Sequence, residues 1–166
     1  MNPNVLFRER QRFRQWWLWA MLILINVFVL IVLWTQCDSD TPYYVPVLVS
    51  LPSLALLLLF LIVRLDTEIR INGIYVRLYP FQIRYRHYPW ESISRIFIRQ
   101  YRPLKEYGGW GIRGPVSNRA LNIAGDQGLQ LVLAKGGKLL IGTQQPDELA
   151  AVIATLPPGS IQPSNT

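Results

Sequence analysis

One cysteine, Cys37, and one histidine, His87, are all that this 166-residue chain offers of the residue types that most often build metal centres and nucleophilic sites. A single cysteine excludes an intramolecular disulfide, and a single histidine excludes a histidine-based metal cluster. Acidic residues are also scarce, ten against seventeen Lys and Arg, for a formal charge of +7. Paired carboxylates for acid–base chemistry are correspondingly few. Asp147 and Glu148 fall where the first turn of a helix is expected, and Glu91 and Glu106 fall in turns without an evident partner. The sequence therefore predicts no catalytic residues, no metal ligands and no cofactor.

Charge is missing altogether from two stretches, 16–35 and 43–63. Each is about as long as the ~20 residues that a helix needs to cross bilayer hydrocarbon. The first, beginning Trp16-Trp17-Leu18-Trp19, is apolar on every face, whereas a water-facing helix keeps a polar stripe. A signal peptide would have a shorter apolar core and a small-residue cleavage site, and Trp34-Thr35-Gln36-Cys37 supplies none. The expectation is a transmembrane hairpin over 16–63 with a short acidic turn carrying Asp38 and Asp40. Arg8, Arg10, Arg12 and Arg14 precede the first span, and Arg64 and Arg70 follow the second. The positive-inside rule then puts both termini in the cytoplasm. Asn26, Ser50 and Ser53 within the spans are expected to bond between the two helices, and Pro46 and Pro52 to kink the second. No ionisable residue lies in either span, which argues against an ion pathway.

The remaining chain divides into a basic N-terminus, 1–15, a polar domain, 67–157, and a tail, 158–166, expected to be disordered. Within the domain the apolar period is two. Strands are predicted at Thr67–Ile71, Ile74–Tyr79, Gln82–Arg86 and Ile93–Tyr101, with a hairpin turn at Asn72-Gly73. After a glycine-rich connection, 102–118, three more follow at Ala120–Ala124, Leu129–Ala134 and Lys138–Ile141. Leu149, Val152, Ile153 and Leu156 recur at helical spacing, so a terminal helix should bury all four. Four strands, three strands and one helix with a single apolar stripe is the order of a pleckstrin-homology-like fold. The predicted class is thus α+β, with a membrane hairpin followed by a seven-stranded barrel or sandwich capped by a helix.

Longer strings carry a resemblance. Phe7-Arg8-Glu9-Arg10-Gln11-Arg12-Phe13-Arg14-Gln15, Tyr107-Gly108-Gly109-Trp110-Gly111-Ile112-Arg113, and Leu139-Leu140-Ile141-Gly142-Thr143-Gln144 with Pro146 and Glu148 resemble a family of uncharacterised bacterial membrane proteins. That family has two spans and a C-terminal pleckstrin-homology-like domain. The resemblance implies architecture and an inner-membrane location, and no activity.

Two candidate surfaces follow. Gly109-Trp110-Gly111-Ile112-Arg113-Gly114 fits a dinucleotide-binding or kinase glycine pattern, but Pro115 follows where the first needs a helix, and a hundred polar residues cannot hold a kinase. Its better use is contact. Tyr, Trp and Arg are enriched at binding hot spots, which makes Tyr107, Gly108, Gly109, Trp110, Gly111 and Arg113 a candidate partner-binding loop. Arg70, Arg77, Arg84, Arg86, Arg95 and Arg99 fall on the parities opposite to the inward residues of their strands, which predicts one arginine-rich sheet face, and are candidates for facing anionic lipid. The two-residue turn at Asn72-Gly73 is too short to cradle an inositol phosphate. Dispersed charge and no recognised module argue against nucleic acid. The expected function is a membrane-tethered, non-enzymatic interaction module, its partners the bilayer, a membrane or cytoplasmic protein, or a second copy of the chain. Binding to an anionic lipid surface, and an enzyme whose site the motifs do not reveal, are the alternatives.

Overall fold

A computed structural model describes residues 5–37 and 41–156. The acidic turn residues Asp38 and Asp40 and the tail 158–166 lie outside the described residues. The chain forms two compact units, Phe13–Val63 and a second made of the segments on either side of it.

The first unit is the helical hairpin, α1 (Trp16–Gln36) and α2 (Tyr44–Ile62), each long and apolar enough to span a membrane. Leu18 and Leu22 are buried, and most other large side chains of the hairpin are exposed, so neither helix shows the polar outer stripe of a water-facing helix. Asn26, Ser50 and Ser53 bond within their own helices, to the carbonyls of Leu22, Val47 and Ser50, not across the hairpin as expected. Back-bonding of this kind satisfies a short polar side chain without a partner helix. Pro46 sits in the first turn of α2, where a missing N–H costs no helical bond, and Pro52 lies inside it.

Among the described residues the second unit contains nine strands in two open sheets, where seven in a barrel or sandwich were expected. The N-terminus supplies the first surprise. Val5–Arg12 is a strand, β1, and pairs antiparallel with β2 (Arg64–Arg70) on the far side of the hairpin. The expected separate basic segment is therefore part of the domain. β3 (Gly73–Tyr79) and β4 (Arg86–Pro89) complete a sheet ordered β1-β2-β3-β4. A one-turn 3-10 helix, Trp90–Ser92, leads to β5 (Ile93–Gln100). The short helix α3 (Pro103–Tyr107) and edge strand β6 (Gly111–Arg113) occupy the expected glycine-rich connection. β7 (Asn118–Asn122), β8 (Gln127–Leu133) and β9 (Lys138–Gly142) finish a second sheet ordered β5-β8-β9-β7-β6, in which β7 and β9 run parallel.

Two local expectations shift. Arg70 pairs with Gly73, so the turn between β2 and β3 is Ile71-Asn72, one residue earlier than predicted. Gly73 is needed for a different reason: a Cβ there would collide with the Tyr88 carbonyl of β4. The predicted strand Gln82–Arg86 is mostly loop, and Ile83 is 75% exposed. Leu78 and Gln82 close a turn there, Gln82 N–H to Leu78 O at 2.8 Å and Leu78 N–H to Gln82 Oε1 at 3.2 Å, which uses groups that a ladder would need.

The core is built from Leu65, Ile69, Ile74, Val76 and Leu78 of the first sheet and Ile93, Ile96, Leu121, Leu129, Leu131, Leu139 and Ile141 of the second. The terminal helix α4 (Pro146–Ala154) buries Leu149, and Leu156 just beyond it is buried too. Val152 and Ile153 are only half-buried, so the stripe is narrower than its spacing implied.

Candidate functional site

The outer face of the first sheet is set by strand register. In β1 the odd residues Phe7, Glu9 and Gln11 turn inward, so Arg8, Arg10 and Arg12 turn outward. They stand opposite Glu68, Asp66 and Arg64 of β2. Asp66, 3% exposed, accepts from Arg77 Nε at 2.8 Å and Arg10 Nε at 2.9 Å, and lies 3.3 Å from Arg64 Nε. Glu68, 4% exposed, takes Arg70 Nη2 at 2.6 Å and Arg8 Nε at 3.2 Å, and the Tyr85 hydroxyl at 3.3 Å. Burial alone would push the Asp66 carboxyl up, but the bonds and charges of Arg77 and Arg10 outweigh it and hold the pKa below the usual carboxylate value. Aromatic rings complete the layer: Arg64 lies over Tyr79, Arg70 over Tyr75 and Arg77 over Tyr85, at 4.9, 4.4 and 4.3 Å. His87 stacks on Tyr75. Five arginines here pair with two carboxylates and Arg12 shares the face, so it keeps a positive excess.

The arginines predicted to form one lipid-facing surface are divided. Arg70 and Arg77 belong to this network and are already paired. Arg84 lies in the β3–β4 loop and Arg86 on edge strand β4, both exposed. Arg95 and Arg99 belong to β5 in the other sheet. Parity places residues on a face of a strand, but only register tells which sheet holds that strand. The first face also carries Arg8, Arg10, Arg12 and Arg64, which the sequence marked only as charges flanking the apolar stretches.

The candidate loop is also divided. Tyr107 is buried at the end of α3, edge-on to Tyr101 at 6.1 Å, with its hydroxyl 3.3 Å from Arg99 Nη2 and 3.4 Å from Asn118 Oδ1. It is a core residue. Gly108, at φ 69°, takes the left-handed position that ends α3, its N–H bonding Leu104 O. Gly109 is buried, and Gly111 begins β6, with its N–H on Asn122 Oδ1 at 3.0 Å. Trp110 is half-exposed with Nε1 3.4 Å from Gly125 O, and Arg113 is exposed with Nε on Trp110 O at 3.0 Å. Of the loop's large side chains, these two reach the surface.

A third polar cluster, absent from the sequence reading, lies at the seam between β1 and the end of β9. Glu9, 6% exposed, accepts the Thr143 hydroxyl and the Gln144 N–H, each at 2.7 Å. Gln11 Nε2 donates to Gly142 O at 2.6 Å. Burial pushes the Glu9 carboxyl above its usual value against the pull of its hydrogen bonds.

Among the described residues, no three His, Cys, Asp or Glu side chains come together as a metal site. The chain finds no match among protein-family models, among curated proteins or among solved structures.

Proposed function

We propose that this protein is a membrane-tethered, non-enzymatic interaction module, with a pleckstrin-homology-like domain on the cytoplasmic face of a bacterial inner membrane. The observation that supports it most is the pairing of β1 with β2. These strands precede and follow the hairpin, so both of its ends lie on one side, as two crossings require. Arginines on those same strands favour the cytoplasm as that side by the positive-inside rule. Trp110 and Arg113 are the contact residues. Crosslinking and pulldown from native membranes should recover a partner that Trp110→Ala and Arg113→Ala both weaken; an unchanged profile removes that assignment. Cys37 should react with an impermeant thiol reagent from outside, and a cysteine placed at Ser117 should not. The reverse pattern overturns the orientation.

A second reading is favoured by the outer face of the first sheet, where positive excess sits on strands that run directly into and out of the spans. That face would rest on anionic headgroups, at ~1 kcal/mol per well-placed charge. Arginine modification of Arg8 and Arg12 in nanodiscs should fall when anionic lipid replaces neutral lipid, and recover in high salt. Equal modification in both lipids excludes it.

A further inference from the structure

The outer face of the second sheet holds a half-open cleft of about 600 Å³, within the range of small-molecule sites. Register places Arg95 of β5, Val132 of β8 and Lys138 of β9 in one row across it. With strands ~4.8 Å apart, the backbones of Arg95 and Lys138 stand roughly 10 Å apart on either side of Val132. In the next row are Phe97, half-buried, and Gln130, 3% exposed.

The cations of this cleft are not equivalent. Arg99 is held in place: Nε donates to Gln130 Oε1 at 3.1 Å, and Nη2 reaches Glu106 at 2.8 Å and the Tyr107 hydroxyl at 3.3 Å. It thereby occupies the only carboxylate lining the cleft. The side chains of Arg95 and Lys138 have no hydrogen bond or ion pair among the described residues, and both are exposed at the rim. Two unpaired cations flank an apolar strip of Val132 and Phe97, above a floor of fixed polar groups. A half-enclosed site of this kind strengthens an anion's attraction relative to open water.

We infer that this cleft binds an organic phosphate, with the phosphate between Arg95 and Lys138 and an apolar body against Phe97 and Val132. The inference is independent of the Trp110 and Arg113 surface. The phosphate comes either from a soluble monoester or from a phosphomonoester lipid headgroup.

Full-length protein in phosphatidylcholine nanodiscs, titrated calorimetrically with phenyl phosphate, tests it. Saturable one-to-one binding is expected, with inorganic phosphate weaker because it lacks the apolar body. Arg95→Gln and Lys138→Gln should each weaken phenyl phosphate about tenfold, the scale of one charge-assisted hydrogen bond. Arg113→Gln should leave it unchanged. Discs containing phosphatidic acid separate the sources: competition assigns the phosphate to a lipid headgroup, and its absence assigns it to a soluble ligand. No saturable binding in wild type, or full binding in the Arg95→Gln/Lys138→Gln double variant with an unchanged thermal unfolding profile, overturns the site.

Discussion

The two sheets of the polar domain are assembled by the chain in different ways. The second runs without interruption from Ile93 to Gly142. The first takes its edge strand, β1, from before the hairpin and the other three from after it. Their outer faces differ in the same sense. Arginines of the first sheet are tied together by Asp66 and Glu68 across three strands, whereas the second leaves Arg95 and Lys138 unengaged over a cleft. An arginine count is the same kind of number on both faces. What decides availability is whether register sets a carboxylate beside each guanidinium.

The largest test of this difference removes β1. A chain beginning at Arg64 loses Phe7 from the core, the Glu9 and Gln11 bonds to the end of β9, and one whole ladder. It should show no cooperative unfolding transition by circular dichroism. A chain in which a four-residue Gly-Ser turn replaces Phe13–Val63 should fold and remain in solution without detergent, since Arg12 and Arg64 are ladder neighbours only ~4.8 Å apart. Equal, cooperative unfolding of the two variants would show that β1 is dispensable and that the sheets do not differ as described.

Next in size is the carboxylate hub. Asp66→Ala leaves Arg10, Arg64 and Arg77 facing one another without their shared anion. Removing one side of a buried ion pair costs about 3–5 kcal/mol, and the partly exposed arginines bring the expected loss toward about 3. Arg95→Gln on the other sheet should stay within about 0.5 kcal/mol, as an exposed residue without partners does. Urea unfolding of the full chain in micelles measures both, and equal losses would erase the contrast.

Much of this was legible and some was not, for reasons tied to particular residues. The two long apolar helices follow from length and the absence of charge. β2, β3, β5, β8 and β9 follow from alternation of aliphatic and polar residues. β1 is hidden because its inward positions include Glu9 and Gln11, so its pattern reads as polar from Arg8 onward. Their burial is offset by hydrogen bonds to residues more than 130 positions away. Trp110 and Arg113 could be chosen from residue type, but Tyr107 could not be excluded, since an aromatic reads alike in a core and on a surface. The cleft was not legible at all, because Arg95 and Lys138 meet only through the β5-β8-β9 register.

Glu9, where β1 meets the end of β9, gives the smaller effects. Glu9→Ala leaves the buried Thr143 hydroxyl and the part-buried Gln144 N–H without that acceptor, a loss of about 2 kcal/mol. Glu9→Gln keeps an acceptor for Gln144 and can donate to Thr143, so its loss should be well below that. Its pH dependence is the finer readout. Because the folded pKa of Glu9 is raised from 4.5, the folded state binds that proton more tightly than the unfolded chain. Stability should therefore fall as pH rises from about 4.5 through the raised value, and level off above it. Asp66 acts in the opposite direction. Its folded pKa is lowered from 3.8, so its contribution is complete above that value and is lost as pH falls below it. Urea midpoints taken from pH 3 to 8 should show both limbs in wild type. Glu9→Gln should flatten the limb above pH 4.5 and keep the acid loss, while Asp66→Asn should do the reverse. An unaltered upper limb in Glu9→Gln would mean that Glu9 is solvated, and that the bond joining the interrupted sheet to the continuous one is not the buried contact described.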